Sequence, residues 1–454
     1  MAEQDALDVA ERRTTRLAAL AEQLGNDKLD ALPDHPHAGE LFASLAGMDA
    51  TALGRLLKPR NAERHEPPPI EDDFLHLFDD LPAEVQAVRE RVRAFMETRV
   101  APIADDYWER AAFPHQLVPE FAPLGLVEAI YPDDATHHAV MEGIITLEMA
   151  RVDPSMATFL GVHAGLAYGS IFLCGSDEQK AEWLPAMRRW ETIGAFGLTE
   201  PDVGSGVSGG LAASARREGD EWVIDGQKKW IGNSTFGHVI VVWARDTADG
   251  QVKGFLVRPD QPGVSVEKME GKIAQRTLQN GLVTMEGVRV AERDRLQRAD
   301  SFRDVGRVLA MTRVGVAWIA VGCALGAYER ALAYAQQREQ FGRTLGSFQL
   351  IQMMLVQMLG DLVSMQSIAL RVSQLQDAGT MREEHASLAK MFCSARCRRV
   401  VALARELMGG NGILLEHGVA RHFADAEAIY SYEGSNEINA LIVGRALTGV
   451  GAFV

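Results

Sequence analysis

The order of periodicities along this chain constrains its fold more than any single motif. Helical spacing gives way to strand-like spacing and then returns, so neither an all-α nor an all-β single-layer fold fits. In the first helical block Val85, Val88, Val92, Phe95, Met96 and Val100 form one apolar stripe, and Leu81-Pro82-Ala83-Glu84 reads as a helix start with proline in the first turn. A further helix is predicted over 139–150. A further apolar stretch at 158–173 carries Gly161, Gly165 and Gly169 four apart, which lets helices or a ligand approach the backbone.

The character changes near Gly194. Trp222, Val223 and Ile224, then Asp225-Gly226, then residues 227–231 predict a β-hairpin turning at Asp-Gly. Strands are predicted at 239–244, 254–257, 264–266 and 282–290. From Phe302 the helical period returns over 308–337, 348–376 and 383–408. Their contact faces are nearly all apolar, which predicts a four-helix bundle with a partner subunit packed on it. The expected fold class is mainly α with a β middle domain. The expected divisions are an extension and linker at 1–75, a helical domain at 76–196, a β domain at 197–298 and a helical bundle at 299–454. Within the extension, a helix is expected around 17–24, and Pro67-Pro68-Pro69 reads as an extended linker.

A length of 454 residues exceeds the ~250–300 that one core supports. The net charge of −16 disfavours nucleic acid and anionic lipid as partners. No stretch reaches ~18 consecutive apolar residues without a charge, so no membrane span is expected. The N-terminus lacks an apolar signal core, and Gly-Ala-Phe-Val is not a peroxisomal ending, so a cytoplasmic location is expected. Cys174, Cys323, Cys393 and Cys397 do not form a disulfide framework. Cys393 and Cys397 lie one turn apart, where small apolar packing residues are the simpler reading than a metal pair.

Five segments carry the chemistry: Phe196-Gly197-Leu198-Thr199-Glu200-Pro201 with Gly204-Ser205; residues 229–234 around Trp230; Arg338-Glu339-Gln340-Phe341-Gly342; Met408-Gly409-Gly410-Asn411-Gly412; and Tyr430-Ser431-Tyr432-Glu433-Gly434-Ser435-Asn436-Glu437. Singly, each has an ordinary reading: a helix C-cap, a core tryptophan, an arginine serving the helix dipole, or a serine N-cap. In this order and spacing, over residues 80–454, the chain resembles the acyl-CoA dehydrogenase and oxidase family. Within it, the glutaryl-CoA dehydrogenase group and the plant-type short-chain acyl-CoA oxidases are the nearest branches.

The resemblance implies a helical N-terminal domain, a β middle domain, a C-terminal four-helix bundle, tightly held FAD and a tetramer. It implies that Leu198, Thr199, Gly204 and Ser205 hydrogen-bond the flavin ring and that Trp230 lies against it. It assigns Arg338, Gln340 and Phe341 to the ADP half of a neighbouring subunit's FAD, and Gly409 and Gly410 to the adenine-nucleotide half. Ser435 and Glu437 would contact the flavin from the last helix start. Arg313, Tyr432 and Gly434 fall on the acyl-CoA side, and Glu433 matches the base that takes the substrate α-proton while the β-hydride passes to flavin N5.

Some members place the base on the helix that here carries Thr312, leaving Glu433 without a rival. Ala157 stands where glutaryl-specific members carry an arginine, which points to a short, uncharged acyl group. Gly206 and Glu406 depart from the family pattern in the flavin loop and near the adenosine. The expected reaction is acyl-CoA α,β-dehydrogenation with electrons leaving to an electron-transferring flavoprotein. Transfer to oxygen by an oxidase is the alternative, and a non-catalytic acyl-CoA or FAD-binding scaffold is the alternative of another class. Flavin monooxygenase or nitroalkane oxidase chemistry on the same fold would usually change the base.

Overall fold

In the computed structural model, which describes residues 68–133 and 135–453, helices come first, a seven-stranded sheet follows, and helices close the chain. The expected helix around 17–24 and nearly all of the 1–75 extension lie outside the described residues. Residues 70–454 form one unit.

Helix α1 (Ala83–Phe95) starts directly after Pro82 and buries Val85, Val88, Val92 and Phe95. It runs past the predicted end at 100, through a π-turn at Met96–Val100 into α2 (Ala101–Glu109). Helix α3 (Ala139–Val152) is buried on almost every side. The Asp153 carboxylate caps α4 (Pro154–Leu160), accepting from the Ser155 amide at 2.7 Å. The glycine-studded apolar stretch at 158–173 is helical in three pieces: the end of α4, a π-helix at Gly161–Tyr168, and α5 (Gly169–Cys174). Helix α6 (Asp177–Arg188) begins with a Ser176/Gln179 capping box.

The sheet runs β1-β4-β2-β3-β7-β6, with β5 added on β4. Its strands are β1 (Gly194–Gly197), β2 (Ser214–Glu218), β3 (Glu221–Gly232), β4 (Val239–Asp246), β5 (Val252–Val257), β6 (Val264–Lys268) and β7 (Asn280–Ala291). The hairpin expected at Asp225-Gly226 is not there. Residues 221–232 are one continuous strand, and Asp-Gly is a β-bulge at which the register against β7 shifts between Ile224 and Gly226. The actual turn precedes β3, at left-handed Gly219 between β2 and β3. Asp225 instead accepts from the Gly287 amide at 2.7 Å. Local turn chemistry at Asp-Gly was overridden because β2 and β7 supply antiparallel partners on both edges of β3.

Gly226 has φ 137°, and a Cβ there would sit 2.7 Å from the Ala213 Cα. Gly226→Ala is therefore expected to destabilise the protein by about 1–3 kcal/mol, read as a fall in the urea midpoint at unchanged slope. A change under 0.5 kcal/mol would mean that the bulge relaxes freely.

Helix α7 (Phe302–Gln337) begins six residues before the predicted 308, because Ser301 and Asp304 form a capping box. A two-residue hairpin, β8 (Glu339–Gln340) and β9 (Arg343–Thr344), leads to α8 (Gln349–Asp377), followed by α9 (Glu383–Leu407), α10 (Val419–Ser431) and α11 (Asn436–Thr448). The long helices form one core with α1 and α3, while Ile224, Val242, Phe255 and Val288 belong to a second core inside the sheet.

The expectation about membrane spans needs correcting. Pro154–Cys174, Phe302–Gln337 and Gln349–Asp377 are each long and apolar enough, by length and composition, to cross a membrane, because their scattered polar residues are outweighed by the apolar ones around them. In the first two, 83% of the most apolar stretch is buried within the protein, against 33% in the third. All four cysteines are free and buried, as small packing residues would be, and no metal-ligand cluster occurs among the described residues.

Candidate active site

Helix α10 ends at Ser431, and the next residues turn sharply. Glu433 and Gly434 both adopt left-handed backbone, at φ 56° and 81°. For glutamate that conformation costs roughly 1–2 kcal/mol, so the surroundings must hold it. Three contacts do. Lys390 on α9 donates to the Tyr430 carbonyl at 2.9 Å and the Gly434 carbonyl at 2.8 Å. Asn439 on α11 donates to the Gly434 and Ser435 carbonyls at 2.9 and 3.1 Å. Ser435 caps α11, accepting from the Ile438 amide. A Cβ on Gly434 would press on the Asn439 amide, so this position needs glycine for both φ and space.

The loop presents the Glu433 carboxylate to α7. Thr312 Oγ1 donates to Glu433 Oε1 at 2.6 Å. Burial raises the Glu433 pKa above the ordinary carboxylate range, while the Thr312 hydrogen bond, Arg313 and Lys390 pull the other way without cancelling it. The same burial lowers Lys390 to about 8, with Glu433 opposing. Arg313 is buried, donates to Ser387 at 3.1 Å and lies 3.6 Å from Glu383. The Tyr432 hydroxyl is occupied elsewhere. It meets Thr158 Oγ1 at 3.1 Å and accepts from Gln275 at 3.2 Å, which leaves only the ring for a ligand.

A second group forms at the edge of the sheet. Leu198 and Thr199 continue β1, and the Lys229 amide donates to the Thr199 carbonyl at 2.8 Å, bringing them beside Trp230. Lys228 is fully buried. Its ammonium binds the Leu198 carbonyl at 3.0 Å and Glu200 Oε1 at 2.7 Å, and burial lowers its pKa to about 8. Glu200 also accepts from the Ala212 and Ala213 amides, closing the loop that carries Gly204 and Ser205. Gly204, Ser205 and Gly206 are exposed, and no atom crowds a Cβ at Gly204.

Trp230 was open to an ordinary core reading; instead it is 54% exposed, on left-handed backbone at φ 68° where β3 departs again from its register with β7. An exposed indole beside hydroxyls and open glycine backbone is a donor set suited to a flat heteroaromatic ring with carbonyl edges. The π-helix links the two groups. His163 accepts from the Gly194 amide at the start of β1, and Gly165 packs against Thr312.

The remaining predicted residues are not drawn into this centre. Arg338, Gln340 and Phe341 lie on the exposed β8–β9 hairpin, with Phe341 92% exposed and its ring 6.2 Å from Phe348. Gly409 and Gly410 are exposed in a 3-10 turn after α9. Asn411 donates to the Tyr334 hydroxyl at 2.9 Å, which ties that turn to the end of α7 just before Arg338. Glu437 is exposed in the first turn of α11, and Glu406 is exposed on α9. Cavities of about 530 and 410 Å³ open elsewhere, beside Trp183 and Arg258 and beside Arg151 and Arg330, and neither is lined by a predicted site residue.

Sequence reasoning missed Lys390 and Asn439. Lys390 had a readable signal, because it interrupts the buried stripe Ala386, Ala389, Cys393, Ser394, Cys397 of α9, where a lysine must find partners.

Acyl-CoA dehydrogenase family profiles match three successive stretches: the N-terminal domain at 82–191, the middle domain at 195–288 and the C-terminal domain at 302–448. The mitochondrial short-chain specific acyl-CoA dehydrogenase of Rattus norvegicus is 30% identical over 410 residues, spanning 89% of this chain and 98% of the relative. The chain belongs to the acyl-CoA dehydrogenase family. Among solved structures, glutaryl-CoA dehydrogenase from Mycobacterium smegmatis superposes with a TM-score of 0.81 at 36% identity, covering 84% of this chain and 99% of that one. A structure of a glutaryl-CoA dehydrogenase from the same organism in complex with FADH2 gives 0.80 at 34% identity, with the same coverage. Acyl-CoA dehydrogenases are oxidoreductases, and the sheet flanked by two helical blocks is their three-domain fold.

Proposed function

We propose that this protein dehydrogenates a short, uncharged acyl-CoA to its trans-2-enoyl thioester, with Glu433 removing the α-proton. One observation carries the reading: a largely desolvated carboxylate, held on left-handed backbone, with only Thr312 donating to it among the described residues. A thioester α-proton is weakly acidic, and a carboxylate stripped of water is the stronger base for it. Arg313 and Lys390 keep enough of Glu433 ionised to act. The Glu433 main-chain N–H would hold the thioester oxygen as negative charge develops.

FAD, when bound, supplies the acceptor for the two electrons leaving the substrate. Leu198, Thr199, Gly204 and Ser205 would meet the edge of its ring, and Trp230 its face. Ser435 and Glu437 stand at the start of α11, where a helix N-terminus suits an anion. Arg338, Gln340 and Phe341 sit on a hairpin too exposed to serve their own subunit's Glu433 centre, as expected if they reach the ADP half in a neighbour, and Gly409-Gly410 lies toward the same end. Exposed Leu350, Met353 and Val356 on α8 and Leu447 on α11 support a homo-oligomer, here proposed as a tetramer. An electron-transferring flavoprotein is the proposed acceptor.

The short, uncharged acyl group follows from Ala157, buried on α4 beside Thr158. A carboxylate tail directed there would lack the arginine that glutaryl-specific members provide and would be several kcal/mol worse off. Anaerobic titration of the flavoprotein with acyl-CoAs from C4 to C16, with isobutyryl, isovaleryl and glutaryl, tests the reading. Bleaching of the flavin band by a short straight chain supports it, and no bleaching by any of them refutes it. Readmitting oxygen then separates the two acceptors, since rapid return of colour identifies an oxidase.

The pH dependence follows from Thr312. Its hydrogen bond favours the ionised base, so Thr312→Val should raise the Glu433 pKa further. The rising limb of log kcat/KM against pH should move to higher pH, with the alkaline plateau less affected. A shift to lower pH would contradict this arrangement.

A further inference from the structure

A buried acid–imidazole pair faces the far side of Thr312, and the base chemistry does not use it. Glu142 on α3 is only 6% exposed. Its Oε2 lies 2.9 Å from His137 Nε2, and the His137 ring sits 5.1 Å from that of Tyr131. Gln376 of α8 approaches His137 Nδ1 at 3.5 Å and donates to the Met311 carbonyl at 3.2 Å. Asp377 accepts from the Ala139 and Val140 amides, fixing the start of α3. The other Glu142 oxygen, Oε1, has no hydrogen-bond partner among the described residues.

The surroundings of Oε1 show where it looks. A Cβ added to Gly165 of the π-helix would lie 3.4 Å from it, and one added to Gly315 of α7 would lie 3.7 Å from it. Both positions are glycine, so no side chain fills either approach. The same Gly165 Cβ would be 3.3 Å from Thr312 Cγ2. Thr312 thus has its hydroxyl on the Glu433 carboxylate and its methyl on the Gly165 side, which Glu142 Oε1 also faces. Thr312 and Gly315 are one turn apart on α7, so the free oxygen faces the helix ~5 Å along it from the level of Thr312, which holds the base. That separation matches the end of a short acyl chain whose α-carbon is at Glu433.

We infer that Glu142, positioned by His137, recognises the tail of the acyl group, and that the preferred substrates carry a hydrogen-bond donor there, such as a terminal hydroxyl. This rests on the acyl-CoA reading above and narrows it. An alkyl tail would cover the Glu142 Oε1 oxygen without giving it a partner, and a carboxylate tail would set a second acid against it. A hydroxyl satisfies Oε1 and adds no charge.

The test compares tails of equal size on the holoenzyme: 4-hydroxybutanoyl-CoA against pentanoyl-CoA, and 5-hydroxypentanoyl-CoA against hexanoyl-CoA. Stopped-flow flavin bleaching gives the reduction rate and its dependence on thioester concentration, and calorimetry with the unreactive S-alkyl and S-hydroxyalkyl thioethers of CoA gives affinity without reduction. The hydroxyl tail should be preferred about tenfold or more in at least one pair, in both readouts. Glu142→Leu should reverse that ratio, and Glu142→Gln should keep part of it through its amide oxygen. His137→Ala should weaken it and serves if Glu142→Leu does not fold. Because each ratio is taken within one variant, a general loss of stability does not move it. Equal use of both tails by the wild type, or a ratio unchanged in the variants, overturns the inference while the dehydrogenase reading stands. Failure of every thioester to bleach the flavin overturns both.

Discussion

Glu433→Gln should lower the rate of flavin reduction by a matched short acyl-CoA by about 10⁴-fold while leaving FAD in place. The amide is isosteric and its oxygen can still accept from Thr312, so the loop need not rearrange. What disappears is the proton acceptor. The substitution should also stabilise the protein at high pH. Burial raises the folded pKa of Glu433 above its unfolded value, so ionisation of this carboxylate works against folding. That penalty is absent below the unfolded pKa and is complete only above the folded one. The gain in melting temperature for Glu433→Gln should therefore be visible at pH 8 and fade as the pH falls towards 4. Stopped-flow reduction and paired melting curves measure both. A variant retaining a tenth of the rate would remove Glu433 from the role of base.

Lys390→Met should cost the second largest loss, about 10²-fold in kcat/KM, without any group touching the substrate having changed. Its ammonium joins the carbonyls on either side of Glu433, at Tyr430 and Gly434. Removing it leaves two acceptors unpaired and frees a left-handed residue to relax, and a displacement near 1 Å is enough for a loss of that size. Loss of the positive charge should also raise the Glu433 pKa, so the pH profile moves to higher pH, as for Thr312→Val. A purely structural role would lower stability and leave the profile where it is. Wild-type kcat/KM in Lys390→Met would show that Asn439 and the Ser435 cap suffice to hold the loop.

Much of this was legible in one dimension because the signals are periodic or covalently local. The stripe from Val85 to Phe95, the apolar face of residues 302–337 and the Glu433-Gly434 pair with its following serine cap each need only a few neighbouring residues to be read. Misreadings came where distant partners outweighed local preference. Asp225-Gly226 carries strong turn chemistry, yet it lies within a strand because β2 and β7 pair along both sides of it. Trp230 taken alone has an ordinary core reading, and it is a bulge, formed with a distant strand, that places it at the surface. Nor could the apolar stretch at 158–173 show its π-bonding beside β1, where His163 and Gly194 meet.

The sequence by itself determined which segments are helical, where strands replace them, and which carboxylate follows α10 on a glycine-flanked turn, because backbone propensity and apolar period are properties of near neighbours. Only the tertiary structure decided what surrounds that carboxylate. Thr312 is 121 residues away, Lys390 lies on another helix, and the Glu142–His137 pair comes from the far side of the β domain in the chain. The basicity of Glu433 depends on which of these distant groups exclude water and which bring charge, and no local pattern encodes that.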